Sequence, residues 1–241
     1  VPPCTLEITD AETFARDWTV IDVNSDVSAN TWAYNDGNAM YAQDTRNAAD
    51  DWLIAPAVTL EAGKAYKVSA YVKHDGMTFD KQKIELKIGT APTVEGLTIR
   101  LVYDESFQSK LFVEKSGTFS PAESGVFYVG LHCSSGSYMG DLYFQKIVIE
   151  EAPVYPAQIT DLSIVAGERG AMSATLSWTW PSSDHLGGAL SSLSGAKIYR
   201  GTDLVATLDT ATVGGKAGWI DSSIETAGIY KYKVVSYNTF G

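Results

Sequence analysis

Cysteine is almost missing from this chain: Cys4 and Cys133 are the only two in 241 residues. That excludes a disulfide-stapled scaffold and a thiolate zinc site, and leaves room for at most one bridge. Histidine is nearly as scarce. His74, His132 and His185 are far apart in sequence and none lies in an HExxH, HxH or CxxC setting. Histidine is the commonest general base near neutrality, so three scattered copies read as ordinary strand or loop residues. GxSxG, P-loop and dinucleotide-binding glycine patterns are also missing, and Gly214-Gly215-Lys216 lacks the strand-to-helix setting of a phosphate cradle. The sequence is not expected to be an enzyme. Basic charge is short as well: 18 Lys and Arg against 29 Asp and Glu leave a net charge of −11. A phosphate backbone or an anionic membrane surface would be repelled, so nucleic acid is not an expected partner. No apolar run approaches the roughly 20 residues that cross a bilayer. The chain opens on Val1-Pro2-Pro3 with no Met, basic patch or apolar stretch, so an export signal or anchor is expected outside this segment.

What is present favours strands. Thr, Val, Tyr and Gly are plentiful while Leu, Lys and Arg are few, the composition of an exported β protein. Tyr66, Val68, Ala70 and Val72 alternate with polar neighbours, as do Ile84, Leu86 and Ile88, and both runs predict half-buried strands. Further strands are expected at 99–103, 111–113, 126–133 and 142–149, and after residue 156 at 159–165, 174–180, 196–200, 204–208, 218–220 and 230–237. Asp10–Arg16 is the one helix candidate. Glu150–Pro156, charged and then carrying two prolines, predicts a domain boundary, giving units 1–152 and 153–241.

Two clusters suggest ligand chemistry. Asp22, Asn24 and Asp26 place oxygen side chains at every second residue, which suits either a calcium loop or a solvated polar loop. It is no EF-hand, since Val27 and Ala33 stand where the turn glycine and the bidentate Glu belong. Trp32 and Tyr34, set among Asn35 and Asn38, suggest a stacking platform for a sugar ring. Trp52, between aspartates and Leu53-Ile54, reads as a core anchor. Asp50 and Asp51 are adjacent in extended backbone and therefore point to opposite faces, which argues against a catalytic pair.

Asp50-Asp51-Trp52-Leu53-Ile54-Ala55-Pro56 and Leu60-Glu61-Ala62-Gly63-Lys64-Ala65-Tyr66, with Phe14–Trp18 and Trp32-Ala33-Tyr34 upstream and Tyr128–His132 downstream, resemble the choice-of-anchor J family, related to the cleaved-adhesin and MAM-like jelly rolls. The resemblance spans nearly all of residues 1–152. It implies a jelly-roll β-sandwich and nominates Glu7, with Asp22 or Asp26, for calcium, although Lys146 in the last strand would oppose a cation there. It also implies that first and last strands are neighbours, which would allow a Cys4–Cys133 disulfide. Leu176-Ser177-Trp178 and Gly228–Val234 resemble a fibronectin type III domain over residues 154–241, an immunoglobulin-like sandwich with Tyr232 as its corner tyrosine. Gly187–Arg200 resembles versions found in Bacteroidetes surface proteins. Six strands of the usual seven are accounted for, so the segment is expected to be part of a longer chain, or else to have its open edge covered by another molecule's strand. The expected protein is thus all-β, a jelly roll followed by a fibronectin type III-like sandwich. Its expected role is extracellular or cell-surface adhesion or binding, with a glycan or a host or neighbouring protein as partner. The alternative is a structural stalk or accessory piece of a secreted hydrolase.

Overall fold

The computed structural model describes residues 1–25, 31–42, 47–77 and 79–241. The chain divides into two compact units, one made of residues 1–61, 65–119 and 123–152 and the other of 62–64, 120–122 and 153–241. Both are β-sandwiches.

In chain order, the first unit runs β1 (Cys4–Glu7), α1 (Ala11–Asp17), β2 (Thr19–Asp22), β3 (Trp32–Asn35), β4 (Asn38–Tyr41), β5 (Asp51–Ile54) and β6 (Val58–Leu60), then β7 (Ala65–Asp75), β8 (Gln82–Gly89), β9 (Ile99–Phe107), β10 (Val113–Phe119), β11 (Gly125–Cys133) and β12 (Asp141–Ala152). One antiparallel sheet has the order β10-β7-β12-β4-β3 with β1 also on β12, and the other β2-β5-β11-β8-β9 with β6 on β11. The alternation read from the sequence is the cause. Tyr66, Val68, Ala70 and Val72 on β7 and Ile84, Leu86 and Ile88 on β8 meet between the sheets in one core with Trp18, Leu53, Leu131 and Phe144. Helix α1 begins where Asp10 caps it, its Oδ1 accepting the Thr13 N–H at 2.8 Å, and it buries Phe14. Trp52, Ile54 and Leu97 form a smaller cluster on the outer face of the second sheet.

The second unit contains β13 (Ser163–Ala166), β14 (Ala174–Thr179), β15 (Gly195–Arg200), β16 (Asp203–Leu208), β17 (Lys216–Asp221) and β18 (Tyr232–Tyr237). The sheets are β13-β14-β17 and β16-β15-β18. Leu176, Trp178, Trp180, Ala196 and Ile198 fill the space between them. The buried Asp221 carboxylate accepts hydrogen bonds from Arg200 Nη1 at 2.9 Å and from the Tyr232 hydroxyl at 2.7 Å. Burial opposes the charge, yet the Ser223 and Tyr232 hydrogen bonds and the Arg200 charge hold this carboxyl below its ordinary range.

Several expectations need correction. Cys4 and Cys133 are free thiols in different sheets: the strand beside β1 is β12, where Cys4 faces Ile149, whereas Cys133 sits on β11. The hydroxyl that reaches back to the backbone belongs to Tyr230, which donates to the Thr226 carbonyl at 2.7 Å, and not to Tyr232. Strand β10 starts at Val113 and leaves Leu111 exposed, because Ser109 and Leu111 close a turn between themselves.

Candidate functional site

The residues singled out in the sequence are not gathered into one site. Trp32 is only 2% exposed and belongs to the main core, edge-on to Tyr41 at 5.7 Å, so its indole offers no open face to a ligand. Tyr34, on the same side of β3, is half-buried against that core. Asn35 and Asn38 are cross-strand partners flanking Asp36 and Gly37, whose φ values of 45° and 75° make a tight hairpin turn. Asn38 Nδ2 donates to the Asp36 carbonyl at 3.0 Å. The polar cluster is thus turn chemistry.

The calcium candidates are also dispersed. Glu7 lies opposite Lys146 in the first sheet, 3.8 Å from its ammonium. Asp22 lies in the second sheet and accepts the Ser25 N–H at 2.7 Å. Asn24 donates to the Ala48 carbonyl at 2.7 Å. Asp26 lies outside the described residues. Among the described residues no three His, Cys, Asp or Glu side chains are grouped to hold a metal.

The adjacent aspartates face opposite ways. Asp51 is fully buried, and burial raises its carboxyl to about 6, with the Asp22 charge adding to the rise. Asp50 instead reaches His132 Nε2 at 2.7 Å. His132 stacks on Trp52 with centroids 4.3 Å apart and planes 5° apart, and its Nδ1 is 3.6 Å from Glu85. Glu85 is held in turn by Arg100 at 2.5 Å and Lys87 at 3.3 Å. Both ring nitrogens of His132 therefore face carboxylates. The network pins the strands of this face rather than priming a nucleophile.

A different place has the makings of a binding site. An open cleft of about 530 Å³ is lined by Asp75, Gly76, Met77, Asp80, Tyr138, Gly140 and Asp141. Asp75 ends β7 and Asp141 begins β12, and the two are direct cross-strand partners. Asp75 is 3.2 Å from Lys110 Nζ. Asp80 Oδ2 accepts the Met77 N–H at 2.6 Å, and Gln108 Nε2 donates to the carbonyls of Met77 and Asp80, both at 3.1 Å. These bonds tie Met77 and Asp80 to each other and to Gln108. Tyr138 projects from the loop between β11 and β12, is 53% exposed, and sits at φ 59°, a left-handed backbone that is costly for an aromatic residue.

Such strain persists only where the surroundings hold it. The next carbonyl, Met139, accepts from His74 Nε2 at 2.6 Å and from Gln82 Nε2 at 3.1 Å, and Gln82 also donates to the Gly140 carbonyl at 2.7 Å. Gln82 is itself fully buried, its Oε1 accepting from Ser135 and from Cys133 Sγ. Because a carbonyl can only accept, His74 Nε2 carries the proton. Gly140 has φ 76°, and a Cβ there would collide with the Gly76 Cα, so only glycine closes the floor of the cleft. The result is an exposed phenol ring at the rim of an open cleft that three carboxylates line. A ring of this kind packs on the apolar C–H face of a sugar while carboxylates accept from its hydroxyls.

No protein family and no curated protein sequence matches the chain. Among solved structures, it is similar to the K3 cleaved adhesin domain of Lys-gingipain from Porphyromonas gingivalis W83, at 11% identity over 61% of this chain and 98% of that one, with a TM-score of 0.47. The K1 domain of the same protein gives 15% identity, 62% and 99% coverage and a TM-score of 0.47. The N-terminal endo-1,4-β-D-xylanase 10B of Clostridium thermocellum, solved with xylohexaose, gives 15% identity and a TM-score of 0.40, with 63% of this chain matching 28% of that one.

Proposed function

We propose that this chain is a non-catalytic, extracellular binding segment whose first unit holds a neutral saccharide in the Asp75–Tyr138 cleft. The fibronectin type III-like second unit acts as a spacer. The observation that carries the reading is Tyr138: an exposed aromatic ring kept in a strained backbone by buried side chains from two other strands, at the rim of a cleft lined with carboxylates. The cleft aspartates and the net charge of −11 disfavour sulfated or sialylated ligands. A non-catalytic role is supported by how the histidines are used: His132 lies between two carboxylates, His74 donates to Met139, and His185 Nδ1 accepts the Tyr155 N–H at 3.2 Å. The test is a glycan array probed with the wild type and with Tyr138→Ala. Binding to neutral glycans that disappears in the variant, with an unchanged melting temperature, supports the proposal. Binding that survives the substitution places the ligand elsewhere.

A further inference from the structure

The most exposed apolar side chains of the first unit stand beside the Asp75–Tyr138 cleft. Among its described residues, the large apolar side chains with the highest exposure are Phe79 at 90%, Met77 at 77% and Leu111 at 76%. Met77 and Phe79 lie in the loop after β7, and Leu111 lies in the loop after β9. The two loops are bonded to each other. Gln108 Nε2 donates to the Met77 and Asp80 carbonyls, both at 3.1 Å, Lys110 Nζ donates to the Gly76 carbonyl, and the His74 N–H donates to the Ser109 carbonyl at 2.7 Å. Apolar side chains scattered singly over a surface are ordinary, whereas a group of them on braced loops marks a contact surface.

What meets this surface follows from its size, its charge and its place in the fold. Even at the roughly 150–250 Å² that an aromatic side chain buries, three side chains fall short of the ~800 Å² each partner gives to a standard protein interface. Lipid needs no matching shape, since acyl chains close around each side chain separately. The net charge of −11 and the three cleft aspartates exclude an anionic lipid surface and leave a neutral one. A few apolar side chains alone hold a protein on a membrane only weakly, and stable attachment takes a second signal. Here the second signal is the cleft, which Met77 also lines. Asp141, opposite Asp75, begins β12, whereas Cys4 pairs with Ile149 about 26 Å further along that strand at about 3.3 Å per residue. The chain leaves β12 at Ala152. Entry and exit of the chain therefore lie at the opposite end of this sandwich, and a surface reaching Phe79 and Leu111 displaces neither.

We propose that the saccharide held by the first unit is the head group of a neutral glycolipid, bound with Phe79 and Leu111 seated in the lipid around it. The inference rests on the saccharide reading of the cleft. Tyr138 and the aspartates take the sugar, while Phe79 and Leu111 take the lipid and Met77 stands between the two. Each contact raises the effective concentration of the other, so together they bind far more tightly than either does alone.

The test uses the full chain and the neutral oligosaccharide that binds best on the glycan array. That oligosaccharide is offered free, coupled to a soluble protein carrier, and coupled to a dialkylglycerol in phosphatidylcholine vesicles. The vesicle form should bind about tenfold or more tightly than the other two, a gain of about 1.4 kcal/mol, which is less than full burial of one such side chain contributes. Phe79→Ser combined with Leu111→Ser changes two exposed residues outside the cleft lining. It should leave the melting temperature and the affinity for the free oligosaccharide unchanged and remove the vesicle advantage. Tyr138→Ala should weaken binding of all three forms. Equal affinity for the vesicle and carrier forms, a vesicle advantage that survives the double change, or equal binding to phosphatidylcholine vesicles without the sugar would overturn the proposal. In each of those outcomes, free oligosaccharide that still binds in a Tyr138-dependent way leaves the saccharide reading standing. Wild type that binds none of the forms defeats that reading, and this inference with it.

Discussion

Replacing Asp51 with Asn should change how the stability of the first unit depends on pH. Asp51 is fully buried on β5, between Asp22 on β2 and Cys133 on β11. Burial lifts its carboxyl to about 6, overcoming the hydrogen bonds that favour the charged form. An exposed aspartate in the unfolded chain titrates near 3.9, so the difference of about 2 pH units corresponds to roughly 3 kcal/mol at 1.36 kcal/mol per unit. The folded value is the higher one, so folding favours the protonated form. The contribution is complete below about pH 4, is lost as the pH rises through about 6, and is constant above that. Carboxyls held low, such as Asp104 and Asp221, shift stability in the opposite direction, so the informative quantity is the difference between wild type and Asp51→Asn. The two should be close near pH 4, and the Asn variant should gain on the order of 2–3 kcal/mol relative to wild type by pH 7. Native-state hydrogen exchange at the amides of Leu53 and Leu131, core residues of β5 and β11, reports on this unit alone. Parallel pH profiles for the two proteins would refute the reasoning.

Gly140→Ala should lower the stability of the first unit by about 2 kcal/mol or more, since the new methyl meets Gly76 in a left-handed backbone; a thermal melt measures it. Alkylation without reductant should leave Cys133 unmodified in the native protein, because burial pushes its thiol up to about 12, and should label both cysteines after unfolding. A protein one bridge lighter than two alkylated thiols would contradict the free-thiol structure. Tyr232→Phe should destabilise the second unit more than Tyr230→Phe does. The first removes a charge-assisted bond to Asp221, worth about 1.5–3 kcal/mol, and the second a neutral bond to Thr226, worth about 1.

Much of the sandwich was legible because half-buried strands write their exposure into the sequence at period two. β7, β8, β14 and β15 follow the expected alternation to within a few residues at their ends. β5 is buried on both faces and shows no alternation, so no strand is legible there in the sequence, although the opposite orientations expected of Asp50 and Asp51 are the ones the structure shows. The Trp32–Asn38 segment misled because hairpin turns and ligand loops draw on the same Asn, Asp and Gly residues. The paired strand put Trp32 in the core. The corner tyrosine was ambiguous for a similar reason: Tyr230 and Tyr232 share a face, and only the turn before β18 decides which hydroxyl meets a backbone carbonyl. The cleft could not be read locally. Ser134–Asp141 looks like a loop with one aromatic, and what presents Tyr138 is a set of bonds from His74 and Gln82, more than fifty residues away.

The most direct measurement is titration of the intact chain with the best neutral glycan from the array, comparing wild type, Tyr138→Ala and Asp75→Asn. An aromatic stacking contact is worth about 0.5–1.5 kcal/mol beyond its area, so the account predicts affinity at least about twofold weaker in Tyr138→Ala. A further loss is expected in Asp75→Asn, whose cross-strand partner Asp141 also lines the cleft. Unchanged affinity in both variants, with both still folded, would contradict the assignment of this cleft as the binding site.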